Sequence, residues 1–271
     1  MLIDIGYDIE LAVSAPTALI YLLRVHPTRE QDLQAPESFK VEPDLPLREY
    51  FDSYGNRCGR VQVPAGVGTV RLTNRARIYD SGLPDVVDYG AIQYPPQELP
   101  EEVLQFLLPS RYCEVDSELL GFAWANFATT PLGWARVQTI CDFVHERIRF
   151  NYGAARPTRS ALQGFHEQTG VCRDFAHLAV TLCRCMNIPA RYVAGYLGDI
   201  GIAPVLDPMD FSAWFEVYLG GSWYTFDARH NTPRIGRIAM AKGRDAGDVP
   251  ITMTFGPNTL MRFSVITDEV R

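Results

Sequence analysis

A chain of 271 residues with 47% apolar and 21% charged side chains has material for one large or two ordinary folded units, and it is neither disordered nor fibrous in composition. Its formal net charge of −7 speaks against a nucleic-acid or anionic-membrane partner, because such surfaces are bound through clustered Lys and Arg, and the sequence has no such cluster. No segment approaches the roughly 18 apolar residues of a membrane helix, and the start MLIDIGYDIELAVSAP lacks the basic and long apolar stretches of a secretory leader, so a cytoplasmic location is expected.

In chain order, residues 2–13 and 17–26 are rich in Ile, Leu, Tyr and Val and are parted by Ser14-Ala15-Pro16, which predicts two strands joined by a short turn. Residues 47–52, 60–64 and 68–78 continue as strand-like segments around a turn at Ser53–Asn56, and together they predict an antiparallel, sandwich-like β domain over 1–92. The proline-dense run Tyr94–Pro100 marks a boundary, with a second domain expected over 93–271. There, Pro100–Leu107 reads as a short helix, Ser117–Asn126 as another with Asp116 as its cap, and Pro131–Arg149 as a long amphipathic helix carrying Val137, Ile140, Cys141, Val144 and Ile148 on one face. Ser160–Gln163 suggests a short capped helix. Strands are expected over 190–197, 212–219 and 223–227.

Six cysteines, Cys58, Cys113, Cys141, Cys172, Cys183 and Cys185, show neither a disulfide framework nor a CxxC pair, and they read as free thiols. Cys183 and Cys185 would point about 200° apart on a helix, so no metal site is expected, and no cofactor is implied. Cys172 stands out. It follows Gly170-Val171 at the start of the helical run CRDFAHLAVTLCRC, where unsatisfied backbone N–H groups and the helix dipole favour a thiolate. Ala176, Ala179 and Cys183 fall within about 40° of it around the helix, a row of small side chains that lets a sheet approach closely. His177, Asp174 and Thr181 are expected on a polar stripe facing away.

The residues GVCRDFAHL at 170–178, IPARYVAGY at 188–196, AWFEVYLGGSWYTFDARHN at 213–231 and GRDAGDV at 243–249 resemble, in order and spacing, the bacterial transglutaminase-like cysteine hydrolases of the papain-like group. The resemblance implies an α+β papain-like core, its central helix packed on an antiparallel sheet, and a Cys-His-Asp triad in which Cys172 and Asp227 match. The usual His-Ala-Trp reads Ser212-Ala213-Trp214 here. A two-residue Gly220-Gly221 turn pairs Leu219 with Ser222, and hence Trp214 with Asp227, which puts Ser212 diagonally beside Asp227, within direct or water-bridged hydrogen-bonding reach. Serine has no basic nitrogen near neutral pH. His230 and His166 are the candidate substitute bases, and Trp214 is a candidate for lining the substrate cleft, as tryptophans do in the family. The expected activity is thiol-dependent hydrolysis or acyl transfer on peptide or glutamine-like amides. The alternative is an impaired relative that holds a peptide or protein partner in the retained cleft.

Overall fold

The computed structural model describes residues 1–205 and 208–270. The N-terminal part supplies β1 (Leu2–Val13), β2 (Thr17–Tyr21), β3 (Lys40–Glu42), β4 (Leu47–Phe51), β5 (Arg57–Val63) and β6 (Thr69–Tyr79). After an extended connection the chain forms α1 (Glu101–Leu104), α2 (Glu118–Phe127), α3 (Trp134–Arg147), β7 (Arg149–Phe150), α4 (Ala161–Glu167), β8 (Thr169–Gly170) and α5 (Cys172–Cys185). Strands β9 (Ala190–Tyr196), β10 (Ser212–Leu219), β11 (Ser222–Phe226) and β12 (Ile238–Gly243) follow, and β13 (Thr252–Phe255) and β14 (Asn258–Glu269) end the chain.

Two four-stranded antiparallel sheets, ordered β14-β1-β6-β3 and β13-β2-β5-β4, enclose one apolar layer. Alternate residues of β1 (Ile3, Ile5, Tyr7, Ile9) meet Leu19 and Tyr21 of β2 and Val61 and Val63 of β5 there, as the two-residue period of a strand requires. The sandwich is built from both ends of the sequence. β14 runs antiparallel along β1 from Ile3↔Glu269 to Val13↔Asn258, and β13 pairs with β2. The stretch 93–271 read as the core therefore lends its last two strands to the first sheets.

The third sheet, β11-β10-β9-β12, is antiparallel throughout. The hairpin register is the expected one, Leu219↔Ser222 through Phe215↔Phe226, with Gly220 and Gly221 at φ of +55° and +87°, the left-handed pair that a two-residue turn demands. Helix α5 lies across this sheet. Ala176 nests with Ala194 of β9 and Ala213 of β10, so the row of small side chains does bring helix and sheet close. Phe215, Val217 and Leu219 pack on the same side against Leu178, Leu182 and the α3 residues Val137, Ile140 and Val144.

One local expectation is corrected. Ser117, not Asp116, caps α2, its Oγ accepting from the Leu119 N–H. The stripe of Asp174, His177 and Thr181 on α5 is buried, with Arg159 against Asp174 and the 108–113 and 244–249 segments against His177. His177 Nε2 accepts from the Ala246 N–H at 3.1 Å, and its ring stacks on Tyr112 with centroids 5.2 Å apart. Burial holds this imidazole neutral, well below the usual histidine range. Arg184, on the same helix, donates to the carbonyls of Leu108, Ala190 and Arg244, tying both covering segments to α5.

Candidate active site

Cys172 is the first residue of α5, and the structure builds its surroundings from three directions. Asp174, two residues on, turns its carboxylate back to accept from the Val171 N–H at 2.8 Å, which caps the first turn. Arg159 pins the same oxygen at 2.9 Å. A Cβ at Gly170 would lie 2.5 Å from that carboxylate, so the glycine before Val171 makes room for the cap. The Cys172 backbone N–H, at the helix start, has no intrahelical acceptor and is available to a developing oxyanion.

The thiol itself departs from the sequence-based expectation. Burial pushes Cys172 up to about 11, against the pull of the Arg229 guanidinium and of the Ala213 N–H that the sulfur accepts. Desolvation is the largest of the influences on the sulfur, and it favours the thiol. The rate of its alkylation by iodoacetamide should climb without a plateau from neutral pH to beyond pH 10. A thiolate–imidazolium pair would instead give a plateau near neutrality. The readout is specific because Cys58, Cys113, Cys141, Cys183 and Cys185 are all buried.

Asp227 follows the last residue of β11, and there the chain leaves the strand and turns. Its Oδ1 accepts from the N–H groups of Arg229 and His230, at 2.9 and 3.1 Å, an Asx turn that folds residues 227–230 back on themselves. That turn brings the His230 ring to the carboxylate, with Nδ1 2.8 Å from Oδ2. Arg237 Nη2 reaches the same oxygen at 2.9 Å. Burial works against ionisation of Asp227, yet Arg237 first and His230 second hold it well below the usual carboxylate range. An ionised carboxylate only accepts, so Nδ1 carries the proton and the neutral ring presents a bare Nε2.

Cys172, Ser212 and His230 line one cleft of about 330 Å³, whose walls include Phe150, Tyr152, Leu197, Phe211, Asp210 and Arg229. The other expected participants lie differently. Ser212 opens β10, but its Oγ is buried without a hydrogen-bond partner among the described residues, and the Asp227 oxygens are taken by the Arg229 and His230 backbone, the imidazole and Arg237. Trp214 is buried and lines a separate cavity together with Arg237 and Glu216, with the Arg237 guanidinium 5.0 Å from its ring centroid. His166, in the last turn of α4, makes an exposed contact with Glu118 at 2.6 Å and is absent from the cleft wall. Sequence reasoning did not find Arg237 or its second partner Asp85. The two are 152 positions apart, and no local pattern couples them.

Compared with known proteins, residues 122–228 match the sequence profile of the transglutaminase-like superfamily. The solved structure of a candidate cysteine protease from Cytophaga hutchinsonii superposes with a TM-score of 0.85 at 30% identity, over 99% of this chain and 90% of that one. The chain belongs to the transglutaminase-like superfamily. An uncharacterised protein of Mycobacterium leprae (strain TN) is 38% identical over 152 residues, 55% of this chain and 53% of that protein. The chain thus spans about half the length of that curated relative. The match to the transglutaminase-like profile runs from within α2 to Ala228, taking in Cys172 and Asp227 and stopping just before His230.

Among the described residues, no group of three or more His, Cys, Asp or Glu is placed to hold a metal ion, and no helix is long and apolar enough to cross a membrane.

Proposed function

We propose that this transglutaminase-like protein is a thiol-dependent amide hydrolase or acyl transferase acting on peptides. In it, Cys172 is the nucleophile, His230 the general base and Asp227 the residue that orients it. The observation carrying this reading is the 2.8 Å Asp227–His230 pair, whose imidazole lies on the wall of the cleft that also holds Cys172. The family's histidine position is Ser212, and a histidine three residues beyond the aspartate takes over the pairing from the other side of the carboxylate. With a resting thiol, the chemistry starts by proton transfer. His230 Nε2 accepts the Sγ proton as sulfur attacks the amide carbon, and the imidazolium returns that proton to the leaving amine as the C–N bond breaks. The thioester is then resolved by water or by a second amine. The Cys172 N–H faces the developing oxyanion.

The second reading, a cleft that binds a peptide without turning it over, is favoured by the raised Cys172 thiol and by Ser212. One experiment separates the two. The protein is incubated with peptide p-nitroanilides and with glutamine peptides plus hydroxylamine, and its mass is followed alongside product release. An acyl adduct and product that both vanish in Cys172→Ala support the enzyme. Saturable peptide binding, unchanged in Cys172→Ala and with no adduct, overturns it.

A further inference from the structure

We propose that Arg237, anchored by Asp85 of the segment joining the sandwich to the core, is a positioning residue for the Asp227–His230 pair and restrains the proton affinity of His230. The inference rests on the reading of that pair as base and orienter. Four groups form one line, the two in its middle buried. Asp85 binds Arg237 Nε through both oxygens, at 3.1 and 2.8 Å. Arg237 passes Nη2 to Asp227 Oδ2 at 2.9 Å, the same oxygen that takes His230 Nδ1. The Arg237 side chain is 6% exposed and that of Asp227 3%, so solvent screens this coupling little.

The anchor is itself fixed. The Asp85 N–H donates to the Arg234 carbonyl, and the Arg234 N–H returns to Asp85 Oδ2 at 2.9 Å. Downstream, Tyr224 Oη holds Asp88 at 2.9 Å, and Trp134 N–H and Gly220 N–H donate to the carbonyls of Ala91 and Ile92. Residues 80–95 form no helix or strand. The stretch, nearly all of it within the expected β domain, is laced to the core along its length and delivers one carboxylate to the rear of the site. Trp214 sits against Arg237, so the residue expected in the substrate cleft instead seats the cation behind the pair.

The electrostatic consequence has a definite sign. A carboxylate oxygen shared with Arg237 stabilises an imidazolium less than one given to it alone, and the guanidinium also repels that imidazolium. Arg237 therefore draws part of the Asp227 charge away from the imidazole. Other charges around the imidazole are Arg229 on its own turn, and Asp210, Arg234 and Asp199 in the cleft wall with Tyr152 and Cys172. On α3, Asp142 accepts from Asn231 Nδ2 and His145 Nδ1 meets the Ala228 carbonyl. None of these touches Asp227 Oδ2.

The test is an NMR titration of the His230 ring protons, assigned by the resonance lost in His230→Asn, in the full chain and in Arg237→Met, Arg237→Lys and Asp85→Asn. Removing the guanidinium should move the His230 midpoint to higher pH by about one unit or more, with Arg237→Lys between that variant and the parent. Asp85→Asn should move it the opposite way, because Arg237 then serves Asp227 alone. Opposed shifts are what a merely structural role cannot give, since loosening the turn would displace both variants in one direction. If Arg237→Met does not fold, Arg237→Lys and Asp85→Asn still carry the comparison. An unmoved midpoint in the folded variants, or shifts of one sign, overturns the inference. If His230→Asn leaves Cys172 acylation unchanged while the midpoint shifts as described, the base assignment fails and the Arg237 coupling stands. If acylation needs His230 and the midpoint stays, only the coupling fails.

Discussion

Replacing His230 by asparagine should slow acylation of Cys172 by about 10²–10⁴-fold, the usual worth of general acid–base help, with little change in thermal stability. The imidazole is 22% exposed, and the backbone N–H it leaves behind still closes the turn onto Asp227 Oδ1, so the variant isolates chemistry from folding. Asp227→Asn would be a poorer test, because it takes from buried Arg237 one of its two carboxylates and from the imidazole its partner, so folding and chemistry would change together. The measurement is single-turnover acylation by an activated ester across pH. The parent should lose rate as the imidazole takes up its proton at low pH. In His230→Asn that limb should disappear, and the remaining rate should rise into alkaline pH with the ionisation of a thiol that burial has pushed up to about 11. Equal rates in parent and variant would remove His230 from the mechanism and leave the peptide-binding reading.

How much of this was legible in the sequence depends on whether the determinant was local. The central helix, its small-residue face and the β10–β11 register were readable, because helical spacing and a Gly-Gly turn act over a few residues. The nucleophile nomination came from the same local grammar. The placement of His230 was not readable. Extending the strand past Asp227 would send it to the opposite face, and only the Asx turn that ends β11 brings it back. The partners of the polar stripe on α5 were unreadable for a related reason. Its partners, Ala246 and Tyr112, lie 69 and 65 positions from His177, and a helix face is polar either because water covers it or because distant chain satisfies it. Strands β13 and β14 escaped detection because β13 spans only four residues and the adjacent pairs Leu260-Met261 and Val265-Ile266 break the two-residue alternation of β14.

The support beneath Cys172 yields the largest expected effect on stability. Arg159→Leu should destabilise the fold by about 1–3 kcal/mol at neutral pH, the cost of taking one partner from a buried hydrogen-bonded group, since Arg173 stays 3.6 Å from the other Asp174 oxygen. The Arg159 and Asp174 side chains are 4% and 1% exposed and meet at 2.9 Å, and leucine can neither neutralise the carboxylate nor reach Glu167, which Arg159 also binds. The pH dependence has a checkable sign. Burial already holds Asp174 above the usual carboxylate range, against the pull of the Val171 N–H and Arg159, and losing Arg159 raises it further. A carboxyl whose folded-state pKa is raised penalises the fold above that pKa and ceases to do so once protonated. The deficit relative to the parent should therefore be largest at neutral pH and shrink as pH falls through the raised value. Urea denaturation of both proteins between pH 7 and 5 measures this, and a deficit independent of pH would mean that Arg159 acts through packing rather than charge. Adding Asp174→Asn should return much of the loss, since the amide oxygen can still cap α5 without a buried charge. Because that cap fixes the turn on which Cys172 stands, Arg159→Leu should also slow acylation where the protein remains folded, and the double variant should restore both properties together.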